Sequence, residues 1–131
     1  MSANAPLPAS PPGANILAVT TPFVPGCRIV RTLGVTWGLV VRSRGLGRNI
    51  TAGLRALGGG EITEYTQLLD QARHTALERL QQHAQSLGAN AVVSVAFDSS
   101  EIGEVMSEIL AYGTAVQVEP DSASPQSVSL R

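Results

Sequence analysis

Few of the residues that usually announce a chemistry are present in this chain. Aromatic side chains make up only 4% of it, too few for the stacking platforms that unpaired bases require. The formal net charge is −1 and the isoelectric point about 6.1, so no broad basic surface is available and nucleic acid is not an expected partner. Cys27 is the single cysteine, which excludes an internal disulfide. No apolar run approaches the ~20 residues of a membrane span. Residues 1–14 lack the basic and apolar regions of a secretion signal. A cytoplasmic soluble protein, with no membrane partner, is the expectation.

Catalytic signatures are missing as well. No G-x-S-x-G nucleophile elbow occurs. Gly45-Leu46-Gly47-Arg48-Asn49-Ile50 joins a strand-like stretch to a helix-like one, the context of a dinucleotide fingerprint. Ile50, however, stands at its third glycine, and no acidic residue closes a second strand about 20 residues on. The glycines at 58–60 lack the Lys-Ser/Thr of a phosphate loop and read as a helix terminator. Soft and imidazole donors number three: Cys27, His74 and His83. The two histidines lie nine apart on one helical stretch and point in different directions, and no CxxC or HxxxH spacing exists. Neither a metal nor another cofactor is expected. Cys27, beside Arg28, has no base placed to activate it and reads as a small buried or half-buried hydrophobe.

What is present is a long stretch from Thr63 to Val95. Leu68, Leu69, Ala72, Ala76, Leu80, Ala84 and Leu87 follow one another at steps of three or four from Leu69 onward, one stripe of an amphipathic helix. Asp70, His74, Glu78, Gln81 and Gln85 mark its polar face, and His83 falls inside the apolar stripe with Arg79 near its edge. Thr63 suits an N-cap, and Gly88 suits the left-handed position that ends a helix. About 37 Å of helix is more than one small core needs, so part of the stripe is expected to meet another subunit. The period then switches to two: Ala91, Val93, Val95 and Phe97 share one face of a strand spanning 91–98.

Around this element the chain reads as follows. Residues 1–14, uncharged and rich in Ala, Pro and Ser, form a disordered tail, and so does the stretch 120–131. Between them lies one domain, 15–119. It holds a short strand at 15–20 and a long one at 27–41. A short helix begins at Asn49, the long helix follows, and strands at 91–98 and 106–118 complete it. On the long strand Ile29, Leu33, Val35, Trp37, Leu39 and Val41 share one face. Gly34 and Gly38, on the other, require a bulge or a close backbone neighbour. The order β-β-α-α-β-β predicts an α+β fold, a four-stranded mixed sheet with helices on one face. Strands 27–41 and 91–98 are expected to pair in parallel across the helical crossover, with an antiparallel hairpin on either side. The bare sheet face is partly apolar and asks for a partner.

These residues also carry a resemblance. Thr20-Thr21-Pro22, Gly34-Val35 with Gly38, Ala52-Gly53-Leu54-Arg55, Gly58-Gly59, Ala72-Arg73, Ala76-Leu77, Leu80, Leu87-Gly88-Ala89-Asn90-Ala91-Val92-Val93 and Gly113-Thr114-Ala115-Val116 resemble the YbjQ-like family. That family is made of small bacterial proteins of unknown function, labelled for heavy-metal binding. The resemblance covers residues 15–119. It implies a dodecin-like β/α subunit assembled as a ring, a homopentamer, and it implies no activity. A glycine-lined cleft between subunits would then bind a small ligand of unknown identity, with Thr20, Thr21, Gly34, Gly38, Arg55, Leu80 and His83 as its candidate residues. Two positions depart from the family pattern. Leu39 stands where a Glu is usual and Asn49 where an Asp is, so two acidic groups are missing from the region where a cation would sit.

Three functional classes follow: a non-enzymatic, ring-forming binding or scaffold module, a metal-binding or metal-responsive protein, and an enzyme with a site shared between subunits. The absence of catalytic groups favours the first.

Overall fold

The computed structural model describes residues 15–43, 63–103 and 106–121. Residues 1–14 and 122–131, and the short helix beginning at Asn49 with Arg55 in it, lie outside these residues; of the stretch 120–131 read as a tail, Pro120 instead ends the last strand and the Asp121 amide donates to the Gly26 carbonyl at 2.8 Å.

The described chain forms strand β1 (Leu17–Ala18), strand β2 (Cys27–Ser43), helix α1 (Thr63–Ser86), strand β3 (Ala91–Ile102) and strand β4 (Met106–Pro120). The strands make one four-stranded mixed sheet in the order β1-β3-β4-β2, the α+β class that the periodicities predict. Its connectivity differs from the expected one. β4 lies between β2 and β3 and runs antiparallel to both, so those two share a direction without pairing. β1 does not form a hairpin with β2. It pairs in parallel with β3 at the opposite edge, Leu17 beside Ala91 and Ala18 beside Val92. A two-residue β1 holds only a short ladder, and Gln81 supplements it: its side-chain Nε2 donates to the Ile16 carbonyl at 2.6 Å. Gln81 is thus 8% exposed and does not belong to the solvated helix face where periodicity puts it.

The helix ends as its glycine requires. Gly88 has φ of 92°, its amide donates to the Gln85 carbonyl at 2.9 Å, and the Ala89 amide donates to the Ala84 carbonyl at 3.0 Å, the paired bonds of a Schellman motif. Asn90 then behaves as an extra strand residue. Its side chain donates to the Val118 carbonyl at 3.0 Å and accepts from the Val118 amide at 2.8 Å. The Leu-Gly-Ala-Asn turn therefore joins the helix to the sheet through main-chain partners.

Two cores form, one on each face of the sheet. Ala72, Ala76, Leu80 and Ala84 of α1 bury themselves against Val40, Val92, Val95, Ile109, Ala111 and Ala115. A smaller cluster of Val24, Ala91, Val93, Val116 and Val118 lies on the far face, with Cys27 half-buried against it. The strand pattern of β3 breaks between these cores. Ser94 adopts φ of 55° inside a bulge between Val93 and Ala96. The extra residue turns the following side chains over, so Ala91 and Val93 point to the far core while Val95 points to the helix. The face expected to be shared by all four odd residues, Phe97 included, is thus divided. Among the described residues no helix is long and apolar enough to cross a membrane.

Candidate functional site

β2 presents its small side to the helix and its large apolar side outward. Gly38 is the reason. A Cβ there would run into the Ala76 carbonyl oxygen and the Leu80 amide nitrogen of α1, so the two backbones touch where only glycine fits. Gly34 serves the strand differently, adopting φ of 115° next to a bulge between Thr32 and Gly34. Each glycine meets one of the two conditions its place in a strand demands. With a second bulge between Ile29 and Arg31, β2 does not keep one apolar face. Leu33 packs on the helix-side core, whereas Val35 and Trp37 are 65% and 50% exposed on the far side. Leu39 and Val41 continue that bare stripe, and Leu110 and Tyr112 of β4 lie opposite Leu39 and Trp37.

At the outer edge of β2 the close seam assembles a polar cluster. Buried Thr36 donates its hydroxyl proton to the Leu80 carbonyl at 2.9 Å. Its oxygen also stands 3.0 Å from His83 Nδ1. A hydroxyl carries one proton, already committed to Leu80, so Nδ1 must be the donor of the second bond. This places the neutral imidazole in its Nδ1–H form and leaves Nε2 as an acceptor. The Trp37 ring lies against the same imidazole, with centroids 4.6 Å apart and planes tilted by 49°. One helical turn before His83, Arg79 reaches over and donates to the Leu39 carbonyl at 2.6 Å, covering one main-chain acceptor of an edge strand.

The predicted cleft residues fall into separate groups. Gly38, Leu80 and His83 come together at the seam. Leu80, at 0% exposure, is filled in by its own chain and lines no cleft, which corrects its assignment to a subunit contact. Thr20 and Thr21 lie beyond the opposite edge of the sheet: the Thr21 carbonyl accepts from the Ser94 amide at 2.9 Å, and its hydroxyl donates to the Phe23 carbonyl at 2.6 Å. Gly34 sits on β2, with β4 and β3 between it and those threonines. Arg55 lies outside the described residues. The periodicity missed Thr36 and Trp37 as site residues, although it put Arg79 beside His83 near the edge of the apolar stripe. Its one available signal was the placing of Thr36 between Gly34 and Gly38, a hydroxyl on a face stripped for close packing.

The donors for a soft cation do not fit a site built by one chain. All the cysteine and histidine of the sequence is Cys27, His74 and His83, and each is described. Cys27 packs on the far-face core, exposed His74 faces Asp70 at 3.6 Å on the outer helix surface, and His83 is held at Thr36. Among the described residues no three His, Cys, Asp or Glu side chains converge.

Comparisons with known proteins set this geometry in a family. The model of a family described as "Putative heavy-metal-binding", the YbjQ-like family, matches residues 16–119. A UPF0145 protein of Methanoregula boonei is 65% identical over 116 residues, covering 88% of this chain and 97% of that protein. One of Thermoplasma acidophilum is 57% identical over 117 residues, covering 89% and 98%. One of Bradyrhizobium is 58% identical over 106 residues, covering 81% and 96%. The first two relatives are archaeal, so an assignment to a bacterial family is not supported. A solved structure of a DUF74-family protein of unknown function from Pediococcus pentosaceus shares the fold, with a TM-score of 0.52 at 14% identity, covering 79% of this chain and 98% of that one.

Proposed function

The chain belongs to the YbjQ-like family of UPF0145 proteins, and from that premise we propose that it is a non-enzymatic, ring-forming homo-oligomeric module of the cytoplasm. Its work is to bind or to scaffold. The observation that carries this reading is the bare far side of β2, where Val35, Trp37, Leu39 and Val41 stand exposed in a row. Alternate residues of a strand lie on one face, so these four form a contiguous apolar strip, with Tyr112 exposed beside it. Large apolar patches on soluble proteins mark interaction surfaces, and a second copy of the chain is the partner always at hand. Closed rotational symmetry covers such a strip on every copy. The resemblance to YbjQ-like rings suggests five copies, a mass of 5 × 13.6 = 68 kDa.

The family description favours a second reading, in which a heavy metal binds. Soft sites take several thiolate or imidazole ligands, and the three donors of one chain lie apart, so this reading requires donors from more than one copy. Light scattering on the eluting protein, with elemental analysis of the same peak, separates the two. The scaffold reading expects a mass of several chains and less than one zinc, copper or nickel per ring. A single-chain mass of 13.6 kDa contradicts it. A stoichiometric metal that disappears in His83→Ala favours the alternative.

A further inference from the structure

β2 is the longest described strand, and it lies at an edge of the sheet. β4 pairs with one side of it, and among the described residues no strand pairs with the other. An edge of that length offers a row of main-chain donors and acceptors to any extended chain that meets it. Its first half is broken by the bulges between Ile29 and Arg31 and between Thr32 and Gly34, which disrupt regular pairing. From Val35 to Ser43 the register with β4 is unbroken, and here α1 takes over. Thr36 and Trp37 are consecutive, so their side chains leave the strand on opposite faces, Thr36 buried under the helix and Trp37 half exposed on the far side. His83 reaches both. Its Nδ1 stands 3.0 Å from the Thr36 hydroxyl oxygen, and its ring lies against that of Trp37 with centroids 4.6 Å apart. With β4 on the inner side, a contact that joins the two faces passes round the outer edge. One turn earlier on α1, exposed Arg79 donates to the Leu39 carbonyl at 2.6 Å.

We propose that Arg79, His83 and Trp37 form a clasp that closes the outer edge of β2 to strand addition between Thr36 and Leu39. The surface then admits a partner that packs on the face of the strip and refuses an extended chain that would pair with its edge. The clasp belongs to the single chain, so it holds whether or not copies assemble. Without it, the alternating run Val35, Trp37, Leu39 and Val41 would present an apolar edge strand in regular register. Such edges template open-ended stacking of further strands. Each member of the clasp blocks that differently. The guanidinium of Arg79 occupies a main-chain acceptor that an incoming amide would need, and keeps its charge at the surface. The imidazole and indole together fill the space beside Thr36 and Trp37 where an added backbone would lie, about 5 Å from β2.

Opening the clasp tests this. Arg79→Met keeps an unbranched stem and removes the donor, and His83→Leu added to it removes the bridge between the two faces. Light scattering and thioflavin T fluorescence are followed over time, with circular dichroism to check the fold. The double variant is expected to keep a native spectrum while its mass grows without limit and its thioflavin signal rises, the single variant more slowly, and the wild type to hold one mass throughout. Asn90→Ala controls for instability. It loses both bonds to Val118 and leaves the clasp as it is, so at the same folded fraction it is expected to hold the wild-type mass. A folded double variant of constant mass with no thioflavin signal overturns the clasp. So does growth of Asn90→Ala at the rate of the double variant, which would trace the growth to unfolding. If the double variant does not fold, Arg79→Met alone decides by the same readings, since its side chain is exposed. A wild type of single-chain mass overturns the assembly reading and leaves these outcomes unchanged, so the two failures are told apart.

Discussion

Gly38→Ala is expected to lose about 3 kcal/mol or more of folding stability, a far larger effect than adding one methyl to a strand normally has. The methyl would meet main-chain atoms of α1, Ala76 on one side and Leu80 on the other. A flexible side chain could swing away from it, but a hydrogen-bonded helical turn cannot. Relief requires the helix to lift from β2, and lifting it stretches the Thr36 bonds to Leu80 and His83 and the Arg79 bond to Leu39. Gly34→Ala is the control. It meets nothing within 4 Å and must bear only the left-handed conformation, a cost of about 1–2 kcal/mol. Chemical denaturation of the two variants checks the order. Equal losses would show that the seam yields and that glycine at 38 is not required by contact.

Leu80→Asp is expected to unfold the chain. Leu80 is among the largest fully buried side chains, held among the alanines of α1 and the valines of the sheet. Emptying its site alone costs about 2–5 kcal/mol, and an unpaired carboxylate adds the penalty of burying a charge. A domain holds only about 5–15 kcal/mol in total. Leu80→Met, similar in volume, is expected to cost less than about 1.5 kcal/mol. Loss of the helical circular dichroism signal in Leu80→Asp, and its retention in Leu80→Met, is the expected pair of results. A Leu80→Asp protein that stays folded and only changes its mass would return Leu80 to the surface between subunits.

These residues show what was legible in the sequence and what was not. The helix, its glycine stop and the existence of each strand follow from local periodicity and local turn chemistry, and the structure has each of them, with β1 cut to Leu17–Ala18 and β3 running on to Ile102 rather than ending at 98. Strand order does not follow, because nothing local distinguishes a β4 inserted between β2 and β3 from a β4 at the edge. The facing of side chains was legible only up to a bulge. Ser94 and the two irregularities of β2 each shift the alternation, and a bulge formed by a serine or a valine leaves no mark in composition. Gln81 looked like a solvated helix residue because its partner, the Ile16 carbonyl, lies 65 positions away in the chain. The His83 cluster was half legible: its place in the apolar stripe marked it as packed, but Thr36 and Trp37 sit on a strand that meets the helix only in three dimensions. The pairing of a large apolar outer face with a small inner one was hidden for the same reason. Alternation separates two faces without saying which one the helix covers.

The central claim is that the bare side of β2 is covered by another copy, and Trp37 reports on it directly. It is the only tryptophan in the chain and is 50% exposed in a single copy, so selectively excited fluorescence comes from the β2 strip at the point where the indole also leans on His83. Quenching by acrylamide is to be measured across a dilution series of the wild-type protein. Coverage predicts weak quenching and blue-shifted emission at high concentration, both relaxing toward those of a half-exposed indole as the copies separate. Strong quenching that does not change with concentration, in protein whose circular dichroism is native throughout, would contradict the account.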